Sequence, residues 1–249
     1  MLPTYNEKDT IRGVLDGVLA IGPNINVLVI DDGSPDGTGD DVAAVAENEP
    51  RVRLLRRPGK QGLASAYMTG FRIGVEDGYD VVVEMDADLS HRPEDLPRIL
   101  DAIASYDMVI GSRYVPGGEV TNWSRSRVAL SKGGNAYART MLRFPIADST
   151  SGFRAYRRYV LESLLADGIS SEGYAFQIEL AYRAWRSGFS VGEVPILFRE
   201  REHGRSKLSR RIVAEALWRV GAWGVKDRFA KAPSQTRSRP SSAPSAKPL

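Results

Sequence analysis

Short β-branched runs alternate with helix-length segments through the first 113 residues, and this alternation narrows the choice of fold more than any other feature. Strands are expected at Asn26–Ile30, Val52–Arg56, Val81–Val83 and Met108–Arg113, after a first one that turns at Pro3-Thr4-Tyr5-Asn6-Glu7. Between them lie predicted helices at Asp9–Ala20, Thr38–Glu49, Leu63–Asp77 and Pro93–Ser105. That order predicts an α/β fold with a mostly parallel open sheet covered by helices on both faces. Each predicted strand ends in polar or acidic residues followed by glycine or proline, which places one nucleotide-sized site along the carboxyl edge. Only two residues precede Pro3, so the first strand is expected either to be entered part-way or to start upstream.

The run Val81-Val82-Val83-Glu84-Met85 feeds straight into Asp86-Ala87-Asp88. With only the small Ala87 between them, both carboxylates can leave a strand end on one side as the chain turns. Two hard oxygen ligands there suit Mg²⁺ or Mn²⁺ shared with substrate phosphates. Taken alone, the same pair is also what a solvated turn capping the next helix carries. A second acidic strand end, Asp31-Asp32, suits nucleobase N–H groups or ribose hydroxyls, and it does not suit a diphosphate without an intervening metal. The labour therefore divides, with Asp32 toward a nucleoside and Asp86 and Asp88 toward a metal and diphosphate.

Other chemistries lack their residues. The chain has no cysteine and two histidines, which excludes disulfides, thiolate metal sites and histidine-rich metal sites. No G-x-G-x-x-G, G-x-x-x-x-G-K-[ST] or G-x-S-x-G stretch is present, so a dinucleotide fold, a P-loop and a nucleophile elbow are not expected. A metal-dependent transferase with a nucleotide-diphosphate donor remains. Arg113, Arg127, Arg201 and Lys207 can add positive charge at that edge. Each is equally the kind of cation a solvated surface carries.

The second half breaks the alternation. A long loop at Gly117–Trp123 precedes a helix at Arg125–Leu142, and Asp148–Tyr156 reads as a polar turn entering a strand. A helix at Ala175–Ser187, strands at Phe189–Glu193 and Ile196–Glu200, and a basic loop at Arg201–Leu208 follow. The expected division is a catalytic domain over 1–207, an amphipathic basic helix over 208–231 and a disordered tail over 232–249. From Arg199 onward there are 13 Lys/Arg against 4 Asp/Glu, whereas the preceding residues carry 21 against 27. A basic end on an acidic body points to a phosphate-bearing substrate or an anionic membrane surface. Nucleic acid is not the expected partner, because Arg237, Arg239 and Lys247 are sparse and lack aromatic neighbours. No stretch reaches the ~18 apolar residues of a spanning helix, and no signal-peptide pattern opens the chain. The expectation is a cytoplasmic protein, associated peripherally with the cytoplasmic face of the membrane.

Seven stretches in register carry a resemblance. Pro3–Glu7, Asp31–Thr38 and Asp86–His91 resemble the nucleotide-sugar half of family-two glycosyltransferases. Gly111–Tyr114, Ser151–Tyr156, Glu172–Glu179, and Gly192–Ile196 with Gly204–Leu208 resemble the dolichyl- and polyprenyl-phosphate mannosyltransferases among them. The resemblance implies a single-domain nucleotide-diphospho-sugar transferase fold of the GT-A type. It also implies GDP-mannose as donor, a polyprenyl phosphate lipid as acceptor and β-linked product by inversion. Pro3, Tyr5, Glu7, Ile30 and Asp32 would then hold the guanosine, and Asp86, Ala87 and Asp88 the diphosphate and metal. Arg113, Arg201 and Lys207 would hold phosphates, and Arg127 the acceptor phosphate. Ser90 stands where some relatives have Gln as a third metal ligand, and it would ligate weakly or through water. The acceptor is already an anionic oxygen nucleophile, so no general base is assigned.

Several relatives continue into transmembrane helices, which leaves room for a membrane-embedded partner. The basic segment has two readings, a stripe in the lipid headgroup region or a helix packed on the domain's own core. Under the first, deleting 208–249 would weaken vesicle binding and leave GDP binding intact. The alternative donor is UDP-glucose or another nucleotide sugar on the same fold, since Asp32 alone does not separate guanine from uracil. A nucleotide-sensing scaffold without turnover is the reading from another class.

Overall fold

The computed structural model describes residues 1–166, 168–169, 171, 173–200 and 210–229, with side chains at all of these except 174, 210–213, 228 and 229. The expected phosphate ligands Arg201 and Lys207 and the expected tail over 232–249 lie outside the described residues.

Three strands, β1 (Leu2–Thr4), β2 (Val27–Asp31) and β3 (Val52–Arg56), pair in parallel in the order β1-β2-β3. A second group, β4 (Val81–Glu84), β5 (Met108–Ser112), β7 (Arg154–Arg157) and β8 (Val191–Pro195), runs β4-β7-β5-β8. The backbone of Met1 joins the two groups, donating to Val83 O at 2.7 Å and accepting from Met85 N at 3.3 Å. All of these strands are parallel except β7, which lies antiparallel between β4 and β5. The sheet is thus mostly parallel, and the reversed strand is its one departure. Reversal has a consequence for the site. It brings the start of β7, with the loop 149–153 before it, to the edge where β4 and β5 end.

Two cores form on opposite faces of the sheet, because successive side chains of a strand alternate. On β5, Met108 and Ile110 enter one core and Val109 the other; on β7, Tyr156 and Ala155 divide in the same way. One face is covered by α1 (Lys8–Leu19), α2 (Thr38–Ala46) and α4 (Leu96–Ala102). Helix α1 buries Ile11, Val14, Leu15 and Val18, the spacing of a single helical stripe. The other face is covered by α3 (Leu63–Glu76), α5 (Arg125–Leu142), α6 (Arg158–Ala166) and α7 (Gly173–Arg186). Every residue of α7 from Ala175 to Tyr182 is buried.

Three elements differ from expectation. Helix α6 follows β7 with no glycine, proline or loop between, so no break announced it. The loop over 117–123 contains a short strand, β6 (Glu119–Thr121), which pairs in parallel with β9 (Leu197–Arg199) as a separate ribbon. The helix expected from Pro93 begins as a 3₁₀ turn, Pro93–Asp95, and its α-helical part ends at Ala102.

Helix α8 (Arg210–Phe229) packs on α5 and α7. Ala216 and Val220 are buried, Trp223 stacks on Tyr182 at 6.4 Å, and the Tyr137 hydroxyl donates to Leu217 O at 3.1 Å. Of the two readings for this segment, packing on the protein's own core accounts for those residues. Leu217, Trp218 and Val225 face outward, and Trp218 is 73% exposed. No helix among the described residues is long and apolar enough to cross a membrane.

Candidate active site

The carboxyl ends of β1, β2, β4 and β5 border one cleft of about 370 Å³. Pro3, Tyr5, Glu7, Asp32, Asp86, Ala87, Asp88, Ser90, Arg113 and Arg127 all line it, so the structure brings these sequence-predicted residues together. Ile30 is the exception: its side chain is fully buried and does not reach the cleft wall.

At the β2 end, the two adjacent aspartates have different surroundings. Asp31 accepts from Thr4 Oγ1 and from Ser34 N, each at 3.0 Å, and so ties the end of β1 to the loop after β2. Asp32 lines the cleft, its carboxylate held by the buried Arg57 guanidinium and by the amides of Gln61 and Gly62 at 3.1 and 3.2 Å. Across this end, Lys60 Nζ lies 4.4 Å from the centre of the Tyr5 ring. Neither Arg57 nor Lys60 was singled out from the sequence, although both belong to the loop after β3 at the same sheet edge.

At the β4 end, the Tyr67 hydroxyl donates to Asp86 Oδ1 at 2.9 Å. Burial and the Asp86 charge push the Tyr67 phenol well up, so it remains a donor. The Asp86 amide donates to His91 Nδ1 at 3.1 Å, which leaves the ring proton on Nε2. Burial holds His91 below its ordinary pKa, and it packs as a neutral ring against Phe153 and Phe198. Asp88 Oδ1 accepts from Ser90 N at 3.1 Å, closing a turn in which Leu89 takes the left-handed conformation at φ 61°. For a residue with a bulky side chain this costs on the order of 1–2 kcal/mol. That strain is confined to the point where the chain turns around the carboxylate pair.

These residues fit a divalent cation. The Ser90 hydroxyl is buried beside the pair and has no hydrogen-bond partner among the described residues. A side chain at Gly152 would fill the space beside Asp86, its Cβ lying 3.8 Å from Asp86 Oδ2. No group of three or more His, Cys, Asp or Glu side chains is placed to hold a metal ion by itself among the described residues. A two-carboxylate set matches a cation that takes its remaining ligands from water and a diphosphate.

At the β5 end, Arg113 makes a bidentate pair with the fully buried Asp148, Nε and Nη2 each 2.6 Å from a carboxylate oxygen. The Arg113 amide adds a third bond to Asp148, and Nη2 reaches Thr150 Oγ1 at 2.8 Å. Asp148 itself is fixed by Glu193, whose carboxylate accepts from the amides of Ala147 and Asp148 at 2.7 and 2.9 Å. Arg127 pairs with Glu200 and lies 4.1 Å over Trp123. Arg113 and Arg127 are therefore held in paired, stacked positions on the cleft wall.

Beneath the cleft, fully buried Arg154 donates to the carbonyls of Ser149, Ser151 and Gln177, each at 2.7 Å. It fixes the loop before β7 to α7. Glu84 lies across the strand pair from it, and burial raises that carboxyl to about 7.

The Glycosyl transferase family 2 model matches residues 1–165. A curated relative, polyprenol monophosphomannose synthase of Mycolicibacterium smegmatis, is 49% identical over 93% of this chain and 88% of its own. Undecaprenyl-phosphate mannosyltransferase of Micrococcus luteus is 48% identical over 92% of this chain and 94% of its own. Among solved structures, glucosyl-3-phosphoglycerate synthase from Mycobacterium tuberculosis with Mn²⁺, UDP-glucose and phosphoglyceric acid superposes with a TM-score of 0.67. It is 21% identical over 88% of this chain and 78% of that one, a likeness of fold.

Proposed function

The chain belongs to glycosyl transferase family 2, and from that premise we propose that it moves mannose from GDP-mannose to a polyprenyl monophosphate with inversion, releasing GDP. The observation that carries this reading is the near-half identity, over more than nine-tenths of the chain, to two relatives named for mannosyl transfer to such lipids. The cleft supports it. A nucleoside end lies between Tyr5, Lys60 and Asp32, a carboxylate pair sits mid-cleft, and a basic, aromatic end is built from Arg113, Trp123 and Arg127.

An acceptor phosphate oxygen attacks the anomeric carbon from the face opposite the diphosphate. The bond from that carbon to the β-phosphate oxygen breaks, and its electron pair leaves on GDP. The acceptor oxygen is deprotonated at neutral pH, so no side chain has to take a proton. Asp86 and Asp88, aided by Ser90, would hold Mg²⁺ or Mn²⁺, which when bound supplies charge neutralisation for the departing diphosphate. Tyr67 and the turn bond to Ser90 keep the two carboxylates aimed before substrate arrives. Arg127 directs charge toward the incoming phosphate, and Arg113 holds the loop at Thr150 that borders the sugar.

Radiolabelled GDP-mannose, mixed with polyprenyl phosphate in the presence of Mg²⁺ or Mn²⁺, tests the reading. Labelled lipid is expected, and it should be absent when a chelator is added. UDP-glucose in place of GDP-mannose should give at least tenfold less; the reverse preference would move the assignment to a glucosyl donor.

The acceptor resides in a bilayer, and the outward Leu217, Trp218 and Val225 on the basic helix α8 suit the headgroup region at the membrane face. Because α8 also carries core residues, removing it would unfold more than a docking surface, so a surface substitution is the cleaner test. Trp218→Glu should reduce co-sedimentation with anionic vesicles severalfold and leave GDP affinity within about twofold. Unchanged co-sedimentation would remove α8 from the membrane contact.

A further inference from the structure

Gln177 is buried on α7, 5% exposed, and lines the cleft. Its main chain is accounted for, since the carbonyl accepts from Arg154 at 2.7 Å. Its side chain is not: neither Oε1 nor Nε2 has a hydrogen-bond partner among the described residues. The carboxamide is close enough to Glu84 to draw that carboxyl downward, yet no bond of good geometry forms, and Glu84 Oε2 is itself unpartnered. A buried amide left unmet costs roughly 1–3 kcal/mol, which a folded chain tolerates where something else completes the bonds.

The location says what completes them. A Cβ built on Gly152 would lie 3.6 Å from Gln177 Nε2 and 3.8 Å from Asp86 Oδ2, so the amide and the carboxylate border the same small space across a residue with no side chain. Asp86 marks the diphosphate end in the proposed reaction, and the nucleoside end lies on the other side of it, toward Asp32. The group attached to the far phosphate therefore enters the space between Asp86, Gly152 and Gln177. A carboxamide presents one acceptor and two donor hydrogens in a plane, which matches a hydroxyl or a vicinal hydroxyl pair on a pyranose ring.

We infer that Gln177 is a specificity-determining residue that hydrogen-bonds a hydroxyl of the transferred hexose. This rests on the sugar-nucleotide reading of the cleft and adds to it the residue that reads the sugar.

The test pairs Gln177→Leu and Gln177→Met with GDP-mannose lacking one hydroxyl at a time. With the parent protein, one deoxy donor should lose about 10²-fold or more in kcat/KM, because a site built to bond a hydroxyl is left with an unpaired amide. The leucine variant should lose a similar factor on GDP-mannose and then be indifferent, within about threefold, to the absence of that same hydroxyl. GDP alone should bind parent and variants equally within about twofold, which also reports that the variants fold. Losses that multiply at every hydroxyl position, or a loss of GDP affinity equal to the loss in kcat/KM, would overturn the inference and leave Gln177 as a packing partner of Glu84. Calorimetric affinities of GDP-mannose and GDP separate this outcome from failure of the wider reading. If the parent gains nothing from the mannosyl group, the donor assignment fails. If it gains and the variants gain equally, only the role of Gln177 fails.

Discussion

Replacing Asp88 with asparagine is expected to lower mannosyl transfer by about three orders of magnitude and leave the fold intact. Asparagine has the size of aspartate, and its Oδ1 can still accept from Ser90 N, the bond that closes the turn after β4. What it removes is the negative charge. A cation that neutralises a leaving diphosphate is worth several kcal/mol in the transition state. At about 1.4 kcal/mol per factor of ten, losing roughly 4 kcal/mol is a thousandfold. The fold readout should move by no more than about 1 kcal/mol, because the buried side chain keeps its size and its bond from Ser90 N. The decisive measurement is GDP affinity with and without Mn²⁺. In the parent the metal should tighten binding; in Asp88→Asn the metal-free affinity should persist while the increment disappears. Turnover within tenfold of the parent at saturating metal would show that this carboxylate does not hold the cation.

Asp88 was legible because it ends a run that has few alternatives. Val81–Val83 is β-branched and short, and the acidic pair follows at once, so the strand, its buried setting and the ligand edge came from local composition. The same holds for β2 and its Asp31-Asp32 end. Long-range pairing was not local in this sense. Nothing between Asp148 and Tyr156 states that β7 runs backward between β4 and β5, because strand direction is set by the route of the preceding chain. That reversal is what carries Thr150, Ser151 and Gly152 to the cleft. Helix α6 escaped for the opposite reason, since it follows β7 without the punctuation that marks a boundary.

Site residues divided along the same line. Those at strand ends, such as Tyr5, Asp32 and Asp86, could be placed by topology alone. Arg113 could be placed at the cleft but not paired, since its partner Asp148 lies 35 positions on and is presented by the turn before β7. Ile30 illustrates the converse: it lies within β2, two residues before Asp32, and its side chain is buried near Gly70 of α3, whereas Asp32 stands just past the strand end where the cleft opens.

The Arg113–Asp148 pair carries the second large expectation. Asp148→Ala should destabilise the protein by about 3–5 kcal/mol, because it removes the carboxylate that pairs bidentately with a buried guanidinium. For a chain of this length that is a fall in Tm of about 6–20 °C. The effect should reach the cleft, since the same carboxylate accepts from the Arg113 amide and from Thr150 Oγ1 at 3.2 Å. A companion variant separates charge burial from packing. Arg113→Met combined with Asp148→Leu should recover most of the lost stability, as apolar replacements of buried pairs often do, while transfer stays low because the loop at Thr150 has lost its anchor. The acid limb gives an independent check. Burial favours the neutral form of Asp148, but the Arg113 charge and hydrogen bonds outweigh it and hold the carboxyl below its ordinary 3.8. A carboxyl depressed in the folded state contributes stability that is fully present above the unfolded value and is lost as pH falls through the folded one. The stability gap between parent and Asp148→Ala should therefore be constant from neutral pH down to about 4 and narrow only below it. A gap that closes between pH 7 and pH 5 would mean that Asp148 is not ionised against Arg113, and the anchor would have to be sought in neutral hydrogen bonding instead.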